Sequence, residues 1–206
     1  MSKNNKKLPK MKIDNRRDLD KNSINNVYRF NQKEIDILLD RFSFNSLINP
    51  ISYELNEDGN IIKLNLISNN IKELPPEIGQ LTNLKSLDLS NNVLKELPPE
   101  IGQLKNLQNL DLFNNSLGEL PPEIGQLTNL KLLNLGFNSL GKLPKEIGQL
   151  TSLQELDLFN NVLKELPPEI GQLTSLQKLD LGSNSLRELP KEIGQLKNIE
   201  FGRYRR

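Results

Sequence analysis

The pentapeptide Glu-Ile-Gly-Gln-Leu occurs six times in this chain, beginning at Glu77, Glu100, Glu123, Glu146, Glu169 and Glu192, each copy 23 residues after the last. Recurrence at a fixed period of roughly 20–50 residues specifies stacked structural units, because a single unit cannot bury its own apolar face. Such a stack presents a long surface in place of a deep pocket, so the activity it implies is binding.

Aligned on this repeat, six units start at Ile61, Leu84, Leu107, Leu130, Leu153 and Leu176. Each reads Leu-x-x-Leu-x-Leu-x-x-Asn-x-Leu, then x-x-Leu-Pro-x-Glu-Ile-Gly-x-Leu. The second unit shows the template in full through Leu84, Leu87, Leu89, Asn92, Leu94, Leu97, Pro98, Glu100, Ile101, Gly102 and Leu104. The pattern resembles the leucine-rich repeat family over residues 61 to about 198. Its Leu-Pro-x-Glu-Ile-Gly-x-Leu half is similar to the intracellular repeats of the Ras-group type, which include Ras-binding scaffolds, plant proteins and many bacterial repeat proteins. The resemblance implies an α/β solenoid: a right-handed leucine-rich repeat superhelix with a parallel concave sheet, short 3₁₀ or helical convex segments and an N-terminal helical cap. It also implies a protein partner, a small GTPase or another signalling protein.

Within a unit, the Leu-x-x-Leu-x-Leu segment reads as a short strand with period-2 alternation. Leu87 and Leu89 are expected to face the core and Ser86, Asp88 and Ser90 to face outward. The recurrent Asn69, Asn92, Asn115, Asn138, Asn161 and Asn184 suit a buried ladder, since an amide has donors and acceptors for turn groups that lack partners. The residue before a proline is driven extended, so Leu97-Pro98 and its equivalents end any helix. A short helical or 3₁₀ turn is expected over Glu-Ile-Gly-x-Leu, where Gly102 and its counterparts allow either close approach or positive φ. The Lys72-Glu73, Lys95-Glu96, Lys164-Glu165 and Arg187-Glu188 pairs read as a solvated face.

Outside the repeats, residues 1–28 read as a flexible basic leader and 29–60 as an N-terminal cap. In the cap, Asn31 with Glu34 forms an approximate capping box before the stripe Ile35, Leu38, Leu39 and Phe42, which predicts a helix over 31–42. A strand near Ile51–Leu55 and a turn at Glu57-Asp58-Gly59-Asn60 should follow. Residues 61–198 hold the six repeats. Residues 199–206 form a partial repeat and basic tail, which either closes the stack or continues into a longer protein.

The net charge of +1 hides a segregation. Residues 1–17 hold seven basic side chains and one acidic, and Arg203, Arg205 and Arg206 add three more positive charges, which leaves −8 on residues 18–202. An acidic body without a basic stripe argues against a nucleic-acid partner. The chain has no cysteine and no histidine. Thiol chemistry, Cys- or His-bound metal and a Ser-His-Asp triad are therefore excluded. No phosphate-binding glycine loop is present. No cofactor, metal or catalytic residue is expected. The missing cysteines favour a reducing compartment, and with no apolar run of about 18 residues and no signal peptide the expectation is a cytoplasmic monomer without a transmembrane segment.

Specificity can be stored only where the template is free. The middle x of each strand is Asn65, Asp88, Asp111, Asn134, Asp157 and Asp180, an acidic stripe that would favour a basic partner. Equally, it could be a habit that keeps the face soluble. Beyond each strand, Phe113, Phe137 and Phe159 fall in consecutive units, with Leu132 on the same face. Aromatics among polar groups have the profile of interface anchors, although they could instead pack into the strand-to-loop bend. Asp88, Asp111, Phe113, Leu132, Phe137, Asp157, Phe159 and Asp180 are thus the candidate protein-binding residues of a non-catalytic scaffold. The alternatives are a sensing segment of a larger signalling enzyme, or a microbial effector that binds a host protein.

Overall fold

In the computed structural model, residues 11–13, 51–197 and 199–202 are described. They form a nine-stranded sheet whose order in space is the order in sequence. Its strands are β1 (Met11–Ile13), β2 (Ile51–Leu55), β3 (Ile61–Asn65), β4 (Ser86–Asp88), β5 (Asn109–Asp111), β6 (Leu132–Asn134), β7 (Glu155–Asp157), β8 (Lys178–Asp180) and β9 (Glu200–Phe201). From β3 onward all pairing is parallel, and Leu64, Leu87, Leu110, Leu133, Leu156 and Leu179 stack in one register with the 23-residue offset of the repeat. Each of these leucines is buried. A solenoid needs only one apolar ridge per unit, which is why a chain with only 35% hydrophobic residues builds a continuous core.

Opposite the sheet, each unit returns through a five-residue 3₁₀ turn: Pro76–Gln80, Pro99–Gln103, Pro122–Gln126, Lys145–Gln149, Pro168–Gln172 and Lys191–Gln195. The proline before each turn holds the chain extended, as at Pro98 with φ −68° and ψ 147°. Four of the turns then open on a second proline, whose fixed φ and missing N–H suit a first helical position. The turns supply the cover that a parallel sheet requires on one face. Of the two uses open to the recurrent glycine, close approach is the one realised. A Cβ on Gly102 would lie 2.7 Å from the Glu123 carbonyl oxygen, and among the described glycines only Gly59 has positive φ.

The asparagine ladder binds the units together. Asn92 donates through Nδ2 to the Leu66 and Leu89 carbonyls at 3.0 and 2.8 Å, and its Oδ1 accepts the N–H groups of Asn69 and Ile71, both at 3.0 Å. Asn138 repeats this with the Leu112 and Leu135 carbonyls and the Leu117 N–H, and Asn161 with Leu135, Leu158 and Leu140. One side chain therefore satisfies backbone groups of its own unit and of the unit before it, groups that would otherwise be buried without partners.

On the N-terminal side the parallel array ends in an antiparallel hairpin. The strand expected near Ile51–Leu55 is present over those residues and pairs with β3. The turn after it is closed by Asn56 Oδ1, which accepts the N–H groups of Asp58 and Asn60 at 3.1 and 2.8 Å, with Gly59 at φ 81°. Met11–Ile13, inside the stretch expected to be a flexible leader, is instead a strand, because the outer edge of β2 offers main-chain groups for it to pair with. The expected helix over 31–42, the rest of the leader and the tail from 203 onward lie outside the described residues.

The glycine role makes a paired test. Gly102→Ala drives a methyl into the neighbouring backbone and should destabilise by about 1–3 kcal/mol. Gly118 has open space around its Cβ position and a φ that an alanine accepts, so Gly118→Ala should be neutral or stabilising by up to about 1 kcal/mol. Urea unfolding followed by circular dichroism separates the two.

Candidate binding surface

The outer face of the sheet is built from alternate strand positions. Asp88, Asp111, Asp157 and Asp180 lie there in register, with Asn134 between Asp111 and Asp157. All are half-buried. Each also has a local task that the residue pattern did not disclose. Asp111 Oδ1 accepts the Phe113 N–H at 2.9 Å, Asp157 Oδ1 the Phe159 N–H at 2.8 Å, Asp180 Oδ1 the Gly182 N–H at 3.0 Å, and Asp88 Oδ1 the Ser90 N–H at 2.9 Å. Asn65 and Asn134 make the same bond to Ile67 and Gly136. The requirement at this position is thus a short side chain with an acceptor oxygen, which closes a turn onto the residue two places on. Ser90, expected to face outward, is 5% exposed, because its hydroxyl donates to Asp88 Oδ1 at 2.6 Å.

Stacking like charges at strand spacing has an electrostatic consequence. Burial pushes the Asp111 carboxyl above the ordinary aspartate value of 3.8; the Phe113 N–H and the Asn134 side chain oppose this, and the neighbouring Asp88 and Asp157 charges reinforce it.

The three phenylalanines meet although their sequence positions are not equivalent. Phe113 and Phe159 occupy the same place in their units, and Phe137 lies one residue later. The ring centroids of Phe113 and Phe137 are 5.1 Å apart at 60°, and those of Phe137 and Phe159 are 5.3 Å apart at 55°, the tilted geometry that aromatic quadrupoles favour. Two features bring this about. Gly136 stands where the flanking units carry phenylalanine, and its bare Cα lets the Phe113 ring lie against it; an added Cβ would be 3.3 Å from Phe113 Cδ2. Phe137 itself takes the left-handed conformation, with φ 55°. The equivalent Ser68, Asn91, Asn114, Asn160 and Ser183 have φ between 54° and 56°, so the turn imposes this geometry on whichever residue occupies the position. Asparagine tolerates it and a bulky ring does so at a cost.

Phe137 is 39% exposed, whereas Phe113 and Phe159 are half-buried. Leu132 is half-buried in β6, two residues before Asn134 on the same face. The candidate residues therefore converge on the fourth unit, with Leu132 at one end, the aromatic group at the other and Asp111 and Asp157 to either side. Two depressions lie beyond them, one of about 250 Å³ over Tyr53, Lys63, Ser86 and Asp88 and one of about 190 Å³ over Asp157, Lys178, Asp180 and Gly202. Among the described residues no group of three or more metal-capable side chains forms, and no helix is long and apolar enough to cross a membrane.

Two expected outcomes follow from this geometry. Phe137→Asn trades ring contacts for relief of the left-handed backbone, so the two effects oppose and chemical denaturation should show a net change within about 1 kcal/mol. Asp111→Asn keeps the acceptor for Phe113 and removes the desolvated, repelled charge. An acid whose folded value is raised weakens the fold where it is ionised, so the variant should be more stable than wild type at neutral pH. Because the carboxyl is only partly buried, the gain should stay below about 1 kcal/mol. It should shrink as pH falls through the raised value and vanish below 3.8, where both states are protonated. Thermal melts from pH 3 to pH 8 check the sign.

The chain matches a leucine-rich repeat region family over residues 76–164 and a family of paired leucine-rich repeats over residues 151–199. No curated protein sequence matches it. Among solved structures it is similar to a leucine-rich repeat protein of Leptospira interrogans, with 44% identity and a TM-score of 0.60 over 66% of this chain and 41% of that one. It is also similar to the leucine-rich repeat ectodomain of the receptor kinase GASSHO1/SCHENGEN3 from Arabidopsis thaliana, solved in complex with CASPARIAN STRIP INTEGRITY FACTOR 2, with 40% identity and a TM-score of 0.63 over 73% of this chain and 19% of that one. A third likeness is to the leucine-rich repeat ectodomain of the Arabidopsis receptor kinase SOBIR1, with 31% identity and a TM-score of 0.57 over 64% of this chain and 73% of that one. The chain thus spans less than half of the first two. Stacked in-register leucines, the asparagine ladder and these matches lead to one conclusion: the chain belongs to the leucine-rich repeat family, whose members generally mediate protein–protein interaction.

Proposed function

We propose that this chain is a non-catalytic recognition module that binds a protein partner on the outer, concave face of its sheet, centred on the fourth repeat. The observation that carries this reading is the contact of Phe113, Phe137 and Phe159, which leaves Phe137 exposed in an otherwise polar surface. A solvent-exposed aromatic braced by two neighbours, with Leu132 nearby and hydrogen-bonding groups around it, has the make-up of an interface anchor. The GASSHO1 ectodomain, caught with its CASPARIAN STRIP INTEGRITY FACTOR partner, supports carrying a binding role to this chain. The resemblance of the Leu-Pro-x-Glu-Ile-Gly-x-Leu half to Ras-group repeats points to a small GTPase or another signalling protein as the partner. The absence of cysteine fits a reducing compartment such as the cytoplasm.

A second reading, the sensing segment of a larger signalling protein, is favoured by the small share of the Leptospira and GASSHO1 chains that this one spans.

A comparative pull-down from cell extract tests the surface. Phe137→Asn should lose the partners that wild type recovers, whereas Val162→Ser should keep them; Val162 is 51% exposed but sits after the ladder asparagine, off the sheet face. Equal recovery by all three proteins would reject the assignment.

A further inference from the structure

Resting on that reading, we propose that the partner engages this face through an arginine side chain, which stacks on the exposed ring of Phe137 in the field of the flanking aspartates.

Charge complementarity carries the argument. From β4 to β7 the outward strand positions are Ser86, Asp88, Asn109, Asp111, Leu132, Asn134, Glu155 and Asp157, which include no cation and, besides Glu155 in its ion pair with Lys178, the three carboxylates Asp88, Asp111 and Asp157. The outward lysines Lys63 and Lys178 come only at the two ends, where each is paired, with Glu54 at 2.9 Å and Glu155 at 3.1 Å. The middle of the face is therefore a negative strip bordered by neutralised ends. A cationic segment is drawn to it, and an acidic one is repelled.

The aromatic group narrows the kind of cation. The faces of the rings are the negative side of their quadrupoles, so a cation above Phe137 is attracted by the ring and the carboxylates together. Centroid separations of 5.1 and 5.3 Å mean that the three rings touch. No gap remains in which a quaternary ammonium could be caged. What the site offers is a ring beside acceptor oxygens, which suits a flat ion able to stack and donate hydrogen bonds at once. Guanidinium meets this description, being planar, weakly hydrated and forked, whereas a lysine ammonium is a strongly hydrated point charge. Asp88, Asp111 and Asp157 stand in register on neighbouring or next-neighbouring strands, and the repulsion among them is relieved when a cation arrives.

The test is a selection of random dodecapeptides displayed on phage against the immobilised full chain, followed by fluorescence anisotropy with the selected peptides. Enriched sequences should share an arginine. Replacing it with lysine should weaken binding by about fivefold, the scale of one partly exposed cation–π contact. Phe137→Asn and the Asp111→Asn/Asp157→Asn pair should each reduce affinity, Val162→Ser should not, and rising salt should weaken binding. Both Asn substitutions place residues that the same repeat positions already carry at Asn160 and Asn134, so the variants keep the fold, and circular dichroism melts check this. An apolar consensus lost in Phe137→Asn would overturn the arginine and leave recognition on this face standing. Peptides indifferent to Phe137→Asn, or no enrichment at all, would overturn both.

Discussion

The asparagine amide that ties each unit to the one before it is the interaction on which the rest of this structure depends. After each strand the chain bends toward the 3₁₀ segment, and the bend leaves carbonyl and N–H groups inside the stack with no ladder partners. In Asn92, Asn138 and Asn161 one side chain takes carbonyls from its own unit and the one before and returns an acceptor to the preceding unit's backbone. No apolar residue can do this, and removing such a residue would strand several buried polar groups at about 1–3 kcal/mol each. The bond works at one offset only, so it locks successive units in the 23-residue register. Leucine then falls on leucine in the core, and like falls on like across the outer face.

That register is why variation in the sequence becomes pattern in space. A residue in a free strand position is repeated at about 4.8 Å spacing by its equivalents, so a preference for aspartate becomes a line of charge. The stripe persists despite repulsion because each carboxylate also closes its turn, accepting the N–H two residues on. The electrostatic cost is limited by Asn65 and Asn134, which do the same turn-closing without charge. Structural need and surface potential are thus carried by the same atoms. The two readings of the stripe, scaffold habit or partner attraction, are therefore not exclusive.

The fourth unit departs from this regularity. Its phenylalanine stands one place later than in the units on either side, with glycine in the place they give to phenylalanine, which puts an aromatic ring on a left-handed backbone that asparagine holds in three of the others. The shift gives up local comfort. It gains a contact between rings from three units and an exposed apolar point on a polar wall.

The sequence by itself determined the solenoid. A strict period with leucine, asparagine and proline at fixed places leaves the backbone one consistent arrangement, so strands, 3₁₀ turns, core and ladder were legible residue by residue, as was the strand at Ile51–Leu55. Local patterns such as these depend on neighbours within one unit or on copies of it, and both are visible in a linear string. What only the tertiary structure decided depends on contacts between units at non-equivalent positions. The offset of Phe137 looked like a break in the pattern, yet Gly136 and a left-handed φ return its ring to Phe113 and Phe159. The turn-closing bonds of the aspartates, the burial of Ser90 and the choice of close approach over positive φ at Gly102 were likewise settled by distances of a few ångströms across the stack, which spacing along the chain does not encode.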